Sequence, residues 1–241
     1  MKLQQATALV TGANRGIGRA FVAALLKAGV RRVYATARDT RTLTELLAID
    51  PTRVLPLQLD VVNGELIAAA VCAAPDVNLL INNAGVLEFG SILEVERSLL
   101  VRQFDTNFYG PLDMARAFAP VIERNGGGAV VNLLTLVALA SMPSLSTYNA
   151  TKAATWSMTQ SLRADLARRG IAVHGVFPGA VDTDMLAGVD LPKASPADVA
   201  AAVMAGLEAD VEDIFPDAMS TQLYAAWKQD HKAVEKQFSV M

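Results

Sequence analysis

The stretch YNATK places a tyrosine and a lysine four residues apart, at Tyr148 and Lys152. Side chains at that spacing lie on one face of a helix, so the ammonium would stand close to the phenol. A free phenol, with a pKa of about 10, is a poor acid at neutral pH, and a neighbouring cation lowers that value. The pair predicts a group that exchanges a proton with an alcohol or carbonyl oxygen, although the motif alone equally describes a surface tyrosine beside a lysine.

A proton donor of this kind needs a second group that holds the acceptor oxygen. The residues just before Tyr148 include five hydroxyls: Thr135, Ser141, Ser144, Ser146 and Thr147. Ser146 and Thr147 stand where the helix that carries Tyr148 would begin, and we expect them to cap that helix. Thr135 and Ser141 are then the main candidates.

A glycine-rich stretch, TGANRGIG, runs from Thr11 to Gly18 between an apolar strand and a helix. Glycines at 12, 16 and 18 allow positive φ angles and let the backbone approach a ligand closely. The helix start beyond them offers free amides to an anion. The stretch lacks the Lys-Ser/Thr ending of a nucleoside triphosphatase loop. After the first strand of a βαβ unit it predicts a dinucleotide site rather than a simple turn.

The end of the second strand indicates which dinucleotide binds. A carboxylate there would hold the adenosine ribose and repel a 2′-phosphate, but the strand ends in Thr36, Ala37 and Arg38. Arg38, with Arg15 in the glycine-rich stretch, suits a phosphate because each guanidinium offers paired donors. Asp39, the next residue, would disfavour a phosphate unless it faces solvent or pairs with one of these arginines. We predict NADP(H) in preference to NAD(H), the alternative being that Arg38 only extends into solvent from a strand end.

The composition limits the class of protein to which this chain can belong. The 241 residues are 52% hydrophobic and 19% charged, which favours a folded domain with a sizeable core. A net charge of −3 gives no general attraction for nucleic acid or acidic membranes, and no apolar run reaches the length of a membrane span. With Cys72 as the single cysteine, no internal disulfide is expected, and His174 and His231 lack partners at metal-ligand spacing. We expect a cytoplasmic protein without a metal site.

Apolar strands alternate with helical stretches, which is typical of a parallel sheet covered on both faces. The strands are predicted at 6–11, 32–37, 54–60, 76–82, 129–134 and 171–177, with a last one at 212–216, and the helices at 18–28, 94–124, 147–169 and from Pro196. Pro56 interrupts the third strand and indicates an edge position. We predict one domain over 1–241, with a substrate-side loop and helix at 184–210 and a polar helical tail at 217–241.

Taken in order, TGANRGIG, Asp60, NNAG, Asn107, YNATK and PGAVDT resemble the motifs of the short-chain dehydrogenase/reductase family. The resemblance covers about residues 5 to 185, and the conjunction is far more specific than any single motif. It implies an α/β fold, a single-domain Rossmann-type doubly wound parallel sheet of seven strands with helices on both faces. It also implies hydride transfer by a nicotinamide cofactor.

The resemblance further implies residue roles. Tyr148 would be the proton donor or acceptor, Lys152 would lower its pKa and hold the nicotinamide ribose, and Asn107 would bind a water that links Lys152 to a proton relay. Asp60 would contact the adenine, and Val181 with Thr183 would hold the carboxamide and pyrophosphate. The full cofactor-binding set comprises Gly12, Asn14, Arg15, Gly16, Ile17, Gly18, Arg38, Asp60, Val61, Asn82, Ala84, Gly85, Tyr148, Lys152, Pro178, Gly179, Val181 and Thr183.

The family has a serine at the end of the strand where this sequence reads VNLLT, so Thr135 takes that position. Threonine keeps the hydroxyl donor and adds a methyl group that stiffens χ1 and narrows the pocket. Thr135 is therefore preferred over Ser141 and Ser146 as the residue that holds the substrate oxygen.

The segments expected beside the nicotinamide are apolar, so the predicted substrate is a hydrophobic ketone or aldehyde, or its alcohol. These segments are 136–139, Met142, Leu145, Met185, Leu186 and, after NNAG, Val86, Leu87 and Phe89. Two other classes stay open: a nicotinamide-binding regulatory protein without catalysis, and a lyase or epimerase on the same fold. A homodimer through the long central helices is favoured, with a homotetramer as the alternative.

Overall fold

Seven parallel strands form one sheet in the computed structural model, which describes residues 1–240. The strands are β1 (Thr7–Val10), β2 (Arg32–Ala37), β3 (Val54–Gln58), β4 (Leu79–Asn82), β5 (Gly128–Leu133), β6 (Ile171–Val176) and β7 (Asp213–Ile214). Their order across the sheet is β3-β2-β1-β4-β5-β6-β7. The chain reverses direction across the sheet between β1 and β4, and at such a switch point the loops after the strands part to leave a crevice.

Helices cover both faces of the sheet because the central strands are apolar on both sides. The helices are α1 (Gly16–Lys27), α2 (Thr44–Ile49), α3 (Gly64–Ala73), α4 (Arg97–Phe104), α5 (Gly110–Arg124), α6 (Ser146–Ala167), α7 (Pro196–Glu208), α8 (Ala218–Gln229) and α9 (His231–Phe238). Helices α1, α2 and α7 pack on one face, and α3, α5 and α6 on the other. The predicted doubly wound α/β fold with seven strands is confirmed.

Pro56 lies on an edge strand, as its residue type predicts, because β3 is the first strand in the order. Leu59 donates its amide to Ala37 of β2. Amides alternate in direction along a strand, so the nitrogen of Pro56 points away from β2, where no ladder partner is needed.

The predicted single helix over 94–124 is wrong. The structure has α4, a π-helical turn at Asp105–Tyr109 and then α5. Pro111 explains the interruption, because it lacks the N–H that would reach the carbonyl of Asn107 four residues earlier. That carbonyl instead accepts a hydrogen bond from the Thr155 hydroxyl at 2.8 Å. The break therefore fixes Asn107 against α6.

Two predictions for the last third of the chain need correction. Within 184–210 only the loop faces the cleft described below, because α7 buries Val203 and Leu207 in the core against α1. The tail is two helices rather than one polar helix, and both carry apolar contacts. Val234 and Phe238 of α9 are buried, and Leu223 and Trp227 of α8 pack beside them. The apolar residues of this tail are separated by charged ones in the sequence, so their shared helix face was not recognised.

None of the helices in residues 1–240 combines the length and apolar character needed to span a bilayer.

Candidate active site

A cleft of about 1100 Å³ opens along the carboxyl ends of the strands, where the loops after β1, β4, β5 and β6 meet. Most of the residues predicted from the sequence line it. They are Gly12, Asn14, Arg15, Gly16, Ile17, Gly18, Arg38, Asp60, Val61, Ala84, Gly85, Thr135, Tyr148, Lys152, Pro178, Gly179, Val181 and Thr183. Two predicted residues, Asn82 and Asn107, lie behind its wall.

The glycine-rich turn after β1 packs closely against the loop after β4 and leaves no room for a side chain at Gly18. Gly12 and Gly16 have φ angles of 64° and 52°. A Cβ on Gly18 would stand 2.2 Å from the carbonyl oxygen of Gly12 and 2.5 Å from Nδ2 of Asn83. The turn leads directly into the start of α1, and the positive end of the dipole of this helix favours an anion. The turn therefore brings backbone without side chains to the cleft at the start of a helix, a position that favours an anion.

We expect Gly18→Ala to destabilise the protein by about 3 kcal/mol, because the clash is with backbone rather than with a mobile side chain. Gly64→Ala is the matched control, since Gly64, like Gly18, lies in the first turn of a helix, and an added Cβ there meets nothing within 4 Å. Chemical denaturation of both variants measures the difference. Equal midpoints for the two variants would show that the turn is looser than its geometry indicates.

Asn83, not Asn82, holds the glycine-rich turn of residues 11–18, the cradle, in place. Asn83 donates from Nδ2 to the carbonyls of Thr11 and Gly12 at 2.8 and 3.1 Å. The hydroxyl of Thr11 accepts the amides of Asn83 and Ala84, each at 2.9 Å. Asn82 turns inward, where Nδ2 donates to Oδ1 of Asn132 at 2.9 Å. The prediction that Asn82 lines the cofactor site is corrected, because the last residue of a strand alternates with the next one in side-chain direction.

The end of β2 presents one unpaired cation to the cleft. Asp39 is occupied by Arg41, whose Nε and Nη2 donate to both carboxylate oxygens, so it pairs with neither Arg38 nor Arg15. Hydrogen bonds from Arg41 also lower the pKa of Asp39. Arg38 is exposed and lines the cleft, and within residues 1–240 it has no carboxylate at salt-bridge distance.

Arg15 reaches the loop after β6, where its Nη1 lies 3.3 Å from Oδ2 of Asp184. Both side chains are mostly exposed, at 69% and 72%, so this ion pair contributes little stability. Its guanidinium can therefore exchange the carboxylate for a phosphate at small cost. Asp60 is half-buried after β3, where its carboxylate accepts the Val62 amide at 3.3 Å beside the same end of the cleft.

Tyr148 and Lys152 lie one turn apart on the cleft face of α6, as their spacing predicts. Both are buried, and Nζ of Lys152 lies 5.7 Å from the centre of the Tyr148 ring. Nζ also donates to the carbonyl of Leu133, the last residue of β5, at 2.7 Å. The strand end thus fixes the ammonium beside the phenol.

Burial sets the protonation of this pair. It raises the pKa of Tyr148 and lowers the pKa of Lys152 to about 8, because removal from water disfavours the phenolate and the ammonium alike. The direction for Tyr148 is opposite to the lowering expected from the lysine alone. Burial is the cause of the rise, so the Tyr148 phenol is protonated at neutral pH.

Asn107 supports the pair from behind rather than from the cleft wall. Its side chain is fully buried and exchanges two hydrogen bonds of 2.9 Å with the backbone of Val86. Nδ2 also reaches the hydroxyl of Thr151 at 3.1 Å. A Cβ on Gly85 would stand 3.2 Å from Oδ1 of Asn107 and 3.9 Å from Nζ of Lys152, so the two polar groups share this corner.

Of the five candidate hydroxyls, those of Thr135 and Ser144 are on side chains that line the cleft, as Tyr148 itself does, and of the two Thr135 is the one beside the carboxyl end of β5. It follows β5 in extended conformation, lines the cleft, and has only a long 3.5 Å contact from Oγ1 to the carbonyl of Pro178. Ser141 is exposed and outside the cleft lining, and Ser146 donates to the carbonyl of Gly90. The capping prediction is wrong: α6 begins at Ser146 with no side-chain cap, and Thr147 accepts from Gln103.

The half of the cleft beyond Tyr148 is lined mostly by apolar side chains, in agreement with the sequence. They come from the loops after β4, β5 and β6 and from the last two helices: Val86, Leu87, Phe89, Leu136, Val137, Met142, Leu145, Met185, Leu186, Val189, Leu191, Met219, Leu223 and Phe238. Glu88 is outside this lining and pairs with Arg102 at 3.4 Å. The contribution of α8 and α9 is the part that sequence reasoning missed.

Within residues 1–240 no group of three or more His, Cys, Asp or Glu is arranged to hold a metal ion. His174 is buried in β6, where Nδ1 contacts the carbonyl of Val211 at 2.7 Å, and burial lowers its pKa.

Comparison with known proteins agrees with this architecture. The family described as short chain dehydrogenase matches residues 6–193. A sorbitol dehydrogenase of Cereibacter sphaeroides is 34% identical over 195 residues, which is 79% of this chain and 76% of that protein. A short chain dehydrogenase from Burkholderia cenocepacia, solved with NADP, is 36% identical and superposes with a TM-score of 0.93 over 99% of each chain.

A second solved relative, from Burkholderia phymatum, was determined in complex with NAD. It is 25% identical, with a TM-score of 0.87 over 98% of this chain and 96% of the other. Solved relatives therefore include complexes with either nicotinamide dinucleotide. With the family match covering most of the chain, and the curated relative above 30% identity, this protein is a member of the short-chain dehydrogenase/reductase family.

Proposed function

We propose that the chain is an NADP(H)-dependent oxidoreductase acting between a hydrophobic ketone or aldehyde and its alcohol, with Tyr148 as the general acid and base. The observation that carries this proposal is the position of Tyr148. Its buried phenol lies in one continuous cleft, between a phosphate-suited cradle at one end and an apolar chamber at the other. A buried, protonated phenol suits the donation of a proton to a carbonyl oxygen.

Each residue of the site has a distinct part. The glycine-rich turn, Arg38 and Arg15 would hold the phosphates, and Asp60 with Val61 would border the adenine. When bound, the cofactor supplies or accepts the hydride. Thr135 would donate a hydrogen bond from its hydroxyl to the substrate oxygen. Tyr148 would give that oxygen a proton during reduction and take the proton back during oxidation.

Lys152 and Asn107 act on Tyr148 rather than on the substrate carbon. Nζ of Lys152 is held by Leu133 beside the phenol, so it would stabilise any phenolate left after proton donation. We infer that Asn107 positions the water that returns a proton through Lys152. Nδ2 of Asn107 is occupied by Val86 and Thr151, so the water would bind at Oδ1, which accepts one hydrogen bond from Val86 and shares its corner with Nζ of Lys152.

The substrate chamber favours apolar substrates over polyols. Sorbitol, the substrate in the name of one relative, carries a hydroxyl on every carbon, and such groups need hydrogen-bond partners once buried. The chamber offers few, chiefly Thr135, Ser144 and Gln237. Besides Arg15 and Arg38 at the phosphate end, the cations that line the cleft are Lys152, which donates to the carbonyl of Leu133, and Arg102, which pairs with Glu88.

The deciding experiment follows NADPH absorbance with a panel of aryl and alkyl ketones, sugars and polyols. Net NADPH oxidation with the apolar ketones supports the proposal. Cofactor binding without any turnover would instead support a regulatory protein, and product formation without net cofactor consumption would support a lyase or epimerase.

We expect Thr135→Val to lower kcat by about 100-fold, because it removes the donor to the substrate oxygen but keeps the shape of the side chain. Thr135→Ser should retain most of the activity. Steady-state kinetics with the best ketone tests both. A large loss in Ser141→Ala, with Thr135→Val unaffected, would move the role to the other hydroxyl.

We also propose that the protein forms a homodimer through α4 and α5. Val101 and Tyr109 are 46% and 51% exposed on this side of the molecule, beside Leu100 and Phe104 in a shallow groove. Apolar side chains grouped this way favour an isologous contact. Light scattering of the purified protein distinguishes a dimer from a tetramer.

A further inference from the structure

The last two helices close the substrate chamber on the side where they pack against the loop after β5. Met219 and Leu223 of α8, and Gln237 and Phe238 of α9, line the cleft. Phe238 is only 6% exposed and belongs to one apolar cluster with Tyr148, Val137, Ala140 and Val234. A phenyl ring therefore borders the space beside the proposed proton donor.

An aromatic column holds these helices against the sheet. Phe215 stacks between Phe177 and Tyr224, with ring centres 5.0 and 3.9 Å apart. Trp227 then meets Trp156 of α6 edge-on at 6.1 Å. Such aromatic pairs add stabilisation beyond their buried area. The column fixes α8 to β6 and α6, so the chamber wall has a defined position.

A polar contact ties the start of α8 to the cleft itself. Asp217 accepts the amide of Gly179 at 2.9 Å and caps α8 through the amide of Ser220 at 2.8 Å. A Cβ on Gly179 would stand 2.9 Å from Sδ of Met219, so the loop after β6 and α8 are in close contact. The wall is thus attached to the same loop that contributes Val181 and Thr183.

This wall belongs to the part of the chain that the family match leaves out. The match ends at residue 193, whereas the four wall residues lie at 219 and beyond. The cradle, Tyr148 and Lys152 all lie inside the match. The residues proposed to carry the reaction therefore lie in the part of the chain that the family shares, whereas this wall of the chamber lies outside it.

We propose that Phe238 is the specificity-determining residue of the substrate chamber, an inference that rests on the proposed ketone reductase activity. Its ring occupies the volume beside Tyr148 that a bulky carbonyl substituent would need. The chamber then accepts ketones with one compact and one larger apolar substituent and excludes those with two bulky ones. Removal of the ring leaves room for a second phenyl-sized group.

The test compares acetophenone with benzophenone as substrates, using NADPH and the full-length chain. In Phe238→Ala, and in Phe238→Leu, which keeps apolar packing if the alanine variant folds poorly, the ratio of kcat/KM for benzophenone over acetophenone should rise by about 10-fold or more. The Kd of NADPH, measured by fluorescence, should stay within about 2-fold, because Phe238 lies in the substrate half of the cleft.

Val234→Ala is the matched control. Val234 is buried on the same helix but does not line the cleft, so this variant loosens α9 without removing the ring. An unchanged ratio in both Phe238 variants overturns the inference, as does an equal change in Val234→Ala, which would assign the effect to helix packing. Absence of NADPH oxidation by the unaltered chain with every ketone would overturn the proposed function as well; turnover with an unchanged ratio overturns this inference alone.

Discussion

Tyr148→Phe is expected to reduce kcat for ketone reduction by about 1000-fold, the largest catalytic effect of any single change here. The substitution removes one oxygen and keeps the ring that packs with Val137 and Phe238. Burial raises the pKa of the Tyr148 phenol, so the lost group is a protonated donor over the whole neutral range. Initial rates of NADPH oxidation give kcat, and fluorescence titration gives the NADPH Kd, which should be unchanged.

Tyr109→Phe serves as the control for this substitution. Tyr109 lies in the π-helical turn, at the proposed dimer contact but away from the cleft lining, and phenylalanine keeps its ring, so the same loss of a hydroxyl there should leave kcat within about 2-fold. Retention of full activity by Tyr148→Phe would remove the phenol from the mechanism. The proposed oxidoreductase would then need a different proton donor, with Lys152 as the buried titratable group nearest to it in the cleft.

Arg38→Asp is expected to lower the preference for NADPH over NADH by about 100-fold, measured as the ratio of the two kcat/KM values. The change removes a guanidinium that would form charge-assisted hydrogen bonds with the 2′-phosphate, each contributing about 1.5–3 kcal/mol, and adds a repelling carboxylate. Asp39 cannot already play the second role, because Arg41 occupies both of its oxygens.

Arg31→Asp makes the same change of charge just before the opposite end of β2. Arg31 is exposed and outside the cleft lining, so it controls for the altered net charge of the protein. We expect its cofactor ratio to stay near that of the unaltered chain. An unchanged ratio in Arg38→Asp would show that this strand end does not select the cofactor, and would leave Arg15 as the remaining candidate.

Residues whose role depends on local geometry were predictable from the sequence. Tyr148 and Lys152 share a helix face because four residues make about one turn. The cradle glycines are needed where they stand, since the backbone of Gly12 leaves no space for a Cβ on Gly18. Pro56 indicated its own edge strand, because the missing amide hydrogen is a property of that one residue.

Features that depend on distant partners could not be predicted in the same way. The choice between Asn82 and Asn83 depends on Thr11 and Asn132, which come from other strands. The raised pKa of Tyr148 depends on total burial, which spacing does not reveal. The chamber wall depends on Phe238, whose charged neighbours Lys236 and Glu235 gave α9 a polar appearance. The break in the helix at Asn107 is different, because a single residue of the sequence, Pro111, indicates it four residues later.

The two borders of the sheet are protected against growth from outside. On one border lies β3, and Pro56 in this strand has no amide hydrogen to donate to an additional strand on the outer side. On the other border β7 is only two residues long, too short to template a further strand. Chains at high concentration should therefore resist aggregation by strand addition, and any assembly should form through helices, leaving the cleft at the strand ends undisturbed.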